Sequence, residues 1–105
     1  MNQEKVKMLD KMKQIFELQS KFSQIKQELA KATIQVSSED EKIKIIINGE
    51  QKLLKIQIDD EIFSTANKDK FQKELTECFN KAILKSQKFA AEKAKIITGI
   101  DLPSL

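Results

Sequence analysis

Apolar residues recur at every seventh position along the first third of the chain. The repeat consists of Met8, Ile15, Phe22 and Leu29, with Leu18, Ile25 and Ala32 three residues after the last three. No glycine or proline interrupts this pattern, which is typical of a long helix that packs against another helix. We therefore predict one helix within residues 1–32, about 45 Å long at 1.5 Å per residue.

The pattern changes to strict alternation between Lys42 and Ile58. Two β-branched or aliphatic runs flank Asn48-Gly49, with Ile43, Ile45 and Ile47 on one face of the first and Leu54, Ile56 and Ile58 on one face of the second. Such alternation predicts two strands that are each buried on one side only. Asn-Gly between them predicts a tight type I′ turn, which needs positive φ at both central residues.

A shorter alternating run precedes the hairpin. Thr33–Val36 predicts a first strand, and Ser37–Glu41 predicts a polar loop to the second. Three acidic residues in that loop could suggest a cation site, but no other ligand converges on them, so a solvated loop is the better interpretation. The sequence thus predicts a three-stranded antiparallel meander over residues 33–58.

Three carboxylates, Asp59, Asp60 and Glu61, follow the meander. Paired carboxylates can serve acid–base or metal chemistry. Here they precede Ile62-Phe63, so they are better interpreted as the N-terminal cap of a short helical turn within residues 59–67.

A second long helix is predicted over residues 68–98, because apolar residues recur there at spacings of three and four. We expect Asn67 to cap it and Gly99, reinforced by Pro103, to end it before a tail at 99–105. Cys78 lies on the apolar stripe of this helix and is expected to be a small core residue.

The predicted helices are too long for the predicted sheet. A six-residue strand covers about 20 Å, whereas each helix measures roughly twice that. Part of each helix should therefore project beyond the sheet, with Met8, Leu9 and Met12 on one projection and Ala90, Ala94 and Ile97 on the other. These stripes can be covered by pairing the two helices or by a second copy of the chain, and we expect a homodimer.

Composition narrows the class of protein. The chain has 105 residues, 40% hydrophobic and 33% charged, which suits one folded α+β domain. One cysteine excludes an internal disulfide, and there is no histidine. Neither a signal peptide nor an apolar run of about 20 residues is present, so we expect a soluble cytoplasmic protein. Without a glycine-rich phosphate loop or metal-spaced ligands, we predict no enzyme activity, cofactor or small-molecule substrate.

Charge is distributed unevenly along the chain. Residues 3–32 carry a net charge of +3, residues 33–67 carry −3, and residues 68–98 carry +4. The lysines that crowd the projecting ends of the two helices are Lys5, Lys7, Lys11, Lys13, Lys85, Lys88, Lys93 and Lys95. Basic projections paired across a dimer would suit a polyanion such as duplex DNA. The alternative is that these are ordinary solvated helix faces, because acidic residues are interspersed with them.

Several features in order resemble the YbaB/EbfC family of bacterial nucleoid-associated proteins. They are a first helix rich in Gln, Lys and Met, followed by Ile45-Ile46-Ile47-Asn48-Gly49, Leu54-Lys55-Ile56-Gln57-Ile58-Asp59, Phe79-Asn80 with Ala82, and Thr98-Gly99-Ile100-Asp101-Leu102-Pro103. The resemblance spans nearly the whole chain. It implies an α-β-β-β-α-α layout and a homodimer whose helical arms project like tweezers. It also implies binding of double-stranded DNA through the protruding helices and a place in the nucleoid, with a role in its organisation or in gene regulation.

The chain departs from ordinary DNA readers in one respect, because every basic residue is lysine. Lysine contacts phosphate as a point charge but lacks the planar fork that reads guanine edges. We therefore expect phosphate contacts from the eight lysines named above, with weak or modest sequence preference. A different hypothesis is a chaperone or adaptor subunit resembling prefoldin, which also joins two coiled-coil helices through β-hairpins.

Overall fold

The computed structural model describes residues 3–65 and 68–100, and the side chains of residues 7–63 and 68–100. In chain order the elements are α1 (Gln3–Lys31), β1 (Ile34–Ser37), β2 (Ile43–Ile47), β3 (Leu53–Ile58), α2 (Glu61–Thr65) and α3 (Lys68–Thr98). The three strands form one antiparallel sheet in the order β1-β2-β3. The predicted α+β architecture with an antiparallel meander and two long helices is confirmed.

The core lies between the sheet and the first half of α3. Strand β2 occupies the centre, and its alternate residues Ile43, Ile45 and Ile47 are completely buried. Helix α3 packs on β1 and β2, where Ala82 and Cys78 complete the cluster. The Cys78 thiol lies 3.7 Å from the carbonyl oxygen of Val36, and burial raises its pKa. The interpretation of Cys78 as a core residue is therefore confirmed.

The turn between β2 and β3 is not the predicted two-residue type I′ turn. Strand β2 ends at Ile47 and β3 begins at Leu53, which leaves a five-residue loop, here called the hairpin loop. Its only non-glycine residue with positive φ is Gln51, and Gly49 does not adopt positive φ. The side-chain oxygen of Asn48 instead accepts the backbone N–H groups of Glu50 and Lys52, each at 2.9 Å. Asn48 thus organises the loop by hydrogen bonding rather than by its backbone angles.

Gly49 is required by a close approach of the hairpin loop to α1. Its N–H donates a hydrogen bond of 2.8 Å to the carbonyl oxygen of Leu29. A Cβ atom at position 49 would lie 3.0 Å from the Cα, the Cδ2 and the carbonyl oxygen of Leu29. Because two of these three atoms belong to the helix backbone, the contact has little freedom to relax.

Replacing Gly49 with alanine should therefore destabilise the fold by about 1–3 kcal/mol, the usual cost of overpacking a close contact. Urea denaturation followed by circular dichroism measures this loss. Glu50→Ala in the same loop is the control, since that side chain is exposed and its loss should change stability by less than about 0.5 kcal/mol. Equal midpoints for the parent and Gly49→Ala would show that the loop does not press on α1.

A buried serine joins the hairpin loop to α3. The Ser86 hydroxyl is fully buried; it donates to the carbonyl oxygen of Asn48 at 2.7 Å and accepts the N–H of Gln51 at 3.1 Å. The middle of α3 therefore lies beside the hairpin loop, and its second half continues past the end of the sheet. It ends where Gly99, with φ of 75°, donates its N–H to the carbonyl oxygen of Lys95.

The two long helices overlap over only part of their lengths. Glu28 near the end of α1 forms an ion pair of 3.1 Å with Lys93 on α3, and Ile25 and Ala94 are buried in the same region. The molecule extends 80 Å along its longest axis, close to twice the roughly 45 Å of either helix. Helix α3 therefore covers only the last turns of α1, and the rest of α1 projects alone.

Capping of α2 agrees with the sequence. The Asp59 carboxylate accepts the N–H of Glu61 at 2.9 Å, which places an acceptor at the N-terminus of that helix. The expected cap at Asn67 and the expected stop at Pro103 lie outside the described residues.

Candidate nucleic-acid interface

The projecting part of α1 is exposed on every side. All side chains from position 7 to position 24 are exposed, and we call these residues the arm. Lys7, Lys11 and Lys13 lie near its tip, and Lys5 precedes them in the same helix. Lysines 7 and 11 are four residues apart and share one side of the helix, whereas Lys13 lies on another side. The arm therefore presents ammonium groups in more than one direction.

The arm also carries a bare apolar surface. Its exposed large hydrophobic residues, which we call the arm stripe, are Met8, Leu9, Met12, Ile15, Phe16, Leu18 and Phe22. Helical spacing gathers them on one side of α1. Among the described residues of a single chain nothing covers the arm stripe, because α3 ends before it reaches these side chains.

The other projection expected from the lengths is covered. Ala94 is buried and Ala90 and Ile97 are half-buried, at the level where α3 packs against the last turns of α1. Pairing of the two helices within the chain thus protects the α3 stripe, whereas the arm stripe has no such cover.

Three of the four candidate lysines on α3 share one exposed face. Lys85, Lys88 and Lys95 are all exposed, and their spacings of three and seven residues place them on the same side of the helix. Lys81 is exposed and four residues before Lys85, so it continues this face. Sequence reasoning overlooked Lys81, although its spacing alone would have included it.

Lys93 occupies a different environment. Its ammonium group lies 3.1 Å from the Glu28 carboxylate and 5.6 Å from the centre of the Phe89 ring. It therefore links α3 to α1 with a charge that a carboxylate already balances. Such a half-exposed pair contributes little stability, but it marks the level at which the two helices meet.

The two lysine groups are spread along the molecule rather than gathered at one point. Lys93 lies level with Glu28, so the distance along the helix axes from Lys85 to Lys7 is about 44 Å at 1.5 Å per residue. Successive phosphates on one DNA strand advance by about 3.4 Å along the duplex axis. The basic side chains could accordingly follow about 13 phosphates of a duplex lying along the molecule.

The end of the molecule opposite the arm carries six acidic residues, with Lys70 and Lys73 of α3 beside them: Glu39, Asp40, Glu41, Asp59, Asp60 and Glu61. Lys42 forms an ion pair of 3.1 Å with Glu61, and this hydrogen bond and charge raise the pKa of Lys42. The Ser38 hydroxyl, at 2.8 Å, and the N–H of Lys42 both bond to the Asp40 carboxylate and lower its pKa. Asp40 thus remains ionised and the loop is held by its own hydrogen bonds. In the part of the chain that the structure describes, no group of acidic or thiol side chains could hold a metal ion.

The face of strand β3 that was predicted to be buried is largely exposed. Leu53, Leu54 and Ile56 are each at least 40% exposed, because α3 covers β1 and β2 and passes β3 at the side. A register shift between Ile46 and Ile47 also disturbs the pairing at the start of β3. A shallow groove of about 250 Å³ runs between β3 and α3, lined by Ile56, Leu75, Thr76, Phe79 and Asn80. We call Leu54, Ile56, Leu75 and Phe79 the sheet-edge face.

A model of the YbaB/EbfC DNA-binding family matches residues 3–100 of the chain. The chain belongs to the YbaB/EbfC family. This match covers α1, the whole sheet and α3, so both lysine groups and the sheet-edge face lie inside the family domain. The match favours a family of DNA-binding proteins over the prefoldin-like alternative. The YbaB/EbfC family is not a family of enzymes.

Relatives of the chain are named nucleoid-associated proteins. A nucleoid-associated protein of Syntrophobacter fumaroxidans is 30% identical over 95 residues, which is 90% of this chain and 86% of that protein. A nucleoid-associated protein of Prochlorococcus marinus is 34% identical over 92 residues, covering 85% of this chain and 78% of its own. The crystal structure of an uncharacterised Helicobacter pylori protein shares the fold, with a TM-score of 0.58 at 24% identity over 90% of this chain and 99% of that one.

No helix within residues 3–65 and 68–100 is long and apolar enough to cross a membrane.

Proposed function

We propose that this YbaB/EbfC protein binds double-stranded DNA through the lysines of the arm and of the exposed α3 face. The observation that carries the proposal is the separation of charge along the 80 Å molecule. Acidic side chains cluster beside Lys42 at one end of the sheet, whereas the arm leaves from the other end with Lys7, Lys11 and Lys13 exposed. A polyanion would be repelled by the first end and attracted to the second.

The contacts should be made mainly to phosphates. The chain has no arginine, so it lacks the bidentate group that most often reads guanine. Glutamines on α1 could address adenine, and Gln14, Gln19 and Gln24 are exposed. Because phosphate contacts carry no sequence information, we expect affinity to vary only modestly between duplexes of different sequence. Phosphate contacts of this kind suit a role in organising the nucleoid. The relatives are named nucleoid-associated proteins.

The DNA-binding unit should be a homodimer joined through the sheet-edge face. Leu54 and Ile56 are 46% and 41% exposed on a strand whose outer edge is open, and Ile56 lines an apolar groove. Exposed strand edges and contiguous apolar surface are usually covered in folded proteins. A second copy that covers the same face would join two chains by a symmetric contact and hold two arms out from one centre.

The salt dependence of duplex binding tests this function. If about six phosphates are contacted, the logarithm of the association constant should fall against the logarithm of salt concentration with a slope of about −5. Fluorescence anisotropy of a labelled random-sequence duplex, titrated at several concentrations of NaCl, measures the slope. A response near zero would rule out phosphate contacts as the source of affinity.

A further inference from the structure

The arm stripe has no use in phosphate binding. Phosphates are contacted by the lysines of the arm, whereas the stripe consists of aliphatic, thioether and aromatic side chains. Met8 and Phe16 are 65% and 63% exposed, and Ile15 and Phe22 are 55% and 54% exposed. Contiguous apolar surface of this kind on a soluble protein marks an interaction site, and DNA binding does not account for it.

The arm stripe continues a helix–helix contact that already exists in the chain. Its seven-residue repeat runs inward from Met8 through Ile15 and Phe22 to Leu29. At the inner end, Ile25 is buried and Leu29 is half-buried, where α1 overlaps α3. Helix α3 ends at Thr98, so the same seam lies open along the arm. The spacing that suits one helical partner at the base suits another helical partner farther out.

The geometry points to a second copy as that partner: the arm stripe pairs with the arm stripe of a chain in another dimer. This inference rests on the proposed DNA-binding dimer, because it uses a surface that the sheet-edge face leaves free. The pairing is antiparallel. A parallel pair would place the tip lysines Lys7, Lys11 and Lys13 of the two arms side by side, and in register it would set Lys21 of one beside Lys26 of the other. An antiparallel pair separates both sets of like charges.

Two such contacts in one chain have a structural consequence. The sheet-edge face joins two chains into a dimer, and the two arms of that dimer join it to further dimers. Because the two contacts occupy different surfaces of the chain, association can continue beyond two chains. An arm of 18 residues is about 27 Å long. Helical pairing over so short a length is weak in free solution. Dimers bound to neighbouring DNA segments share a high local concentration, so arm pairing there links one segment to another.

Sedimentation equilibrium tests the arm contact. Between about 5 and about 500 µM, a range chosen to span weak association, the mass of the parent should rise from twice 12.1 kDa to higher values. A variant with Met8, Ile15 and Phe22 changed to glutamine should remain a dimer throughout. Changing Gln14, Ser20 and Gln24 to alanine is the matched control on the polar side of the arm, and it should behave as the parent. Far-ultraviolet circular dichroism verifies that all variants remain helical.

A sheet-edge variant separates this inference from the proposed dimer. Ile56→Lys should be a monomer at the low end of the range and a dimer at the high end, because its arms still pair. If the parent and the stripe variant both remain dimers at every concentration, arm pairing is wrong and the sheet-edge dimer survives. If Ile56→Lys has the mass of the parent throughout, the sheet-edge dimer is wrong instead. Co-flotation of the dimeric parent, but not of the stripe variant, with phosphatidylglycerol vesicles would show that the stripe serves a membrane surface and would overturn the inference.

Discussion

Changing Lys7, Lys11 and Lys13 to glutamine should weaken duplex binding by roughly 10²- to 10³-fold at about 0.1 M salt. The dimer carries six of these lysines; if three of them contact phosphate, each lost contact removes about 0.9 of a released counterion, and together they forfeit nearly three decades of affinity at that salt concentration. The slope of affinity against salt should become shallower by about 3 for the same reason. Anisotropy titrations with a random duplex at two salt concentrations measure both effects. All three side chains are exposed, so the fold should be unaffected.

The control for this variant removes the same charge elsewhere. Lys44 and Lys55 lie on the sheet and Lys68 begins α3, all remote from the arm. Changing these three to glutamine should lower affinity by less than about tenfold, through the change in long-range potential alone. Equal losses for the two triple variants would mean that binding responds to net charge and that the arm is no special site.

Ile56→Lys should convert the dimer to a monomer at low micromolar concentration and weaken duplex binding by about 10²- to 10⁴-fold. The substitution places an ammonium group in the middle of the sheet-edge face, where pairing would bury two of them against each other at a high cost in free energy. A monomer has one arm instead of two. It therefore lacks the increase in affinity that arises when two arms of a dimer bind the same duplex. Light scattering and anisotropy report the mass and the affinity on the same sample.

Gln57→Lys is the matched control for Ile56→Lys. It adds the same charge to the neighbouring position, which is exposed and points to the opposite side of β3. It should remain a dimer with at least the parent affinity for DNA. A monomeric Ile56→Lys protein that binds duplex as tightly as the parent would show that dimerisation does not contribute to affinity.

The long elements were predictable because their signals are local. The repeat of Met8, Ile15 and Phe22 predicts α1, and the glycine at 99 marks the end of α3, which the structure confirms. Alternation of isoleucines predicts β2, and its three alternate residues are fully buried. In each case the period of the apolar positions repeats often enough to exclude the competing structure.

The predictions that were wrong depend on contacts between distant parts of the chain. Asn48-Gly49 resembles a tight turn, but α1 approaches so closely that position 49 must lack a Cβ atom, and the loop is wider. Alternation in β3 predicts a buried face, yet burial depends on which strands α3 covers. The arm stripe likewise has the repeat of a packed helix, and only the end point of α3 shows that it is bare. Periodicity identifies a face that needs cover without saying what covers it.

The candidate lysines could be placed on the two long helices from the sequence, but their different surroundings could not. Counting charge locates the lysines on two helices. It cannot show that Lys93 is paired with Glu28, that Lys81 extends the face of Lys85, or that the two lysine groups lie about 44 Å apart along the molecule. These facts depend on where α1 meets α3.

Mapping the duplex onto the protein by nuclear magnetic resonance tests the central claim most directly. Backbone amide signals would be compared before and after addition of a random-sequence duplex of about 16 base pairs, long enough for the roughly 13 phosphates that the lysines span. The account predicts that the largest shifts fall at residues 5–13 of α1 and 81–95 of α3, with little change at residues 39–44 and 59–61. Largest shifts at the acidic end of the sheet, with the arm unchanged, would contradict it.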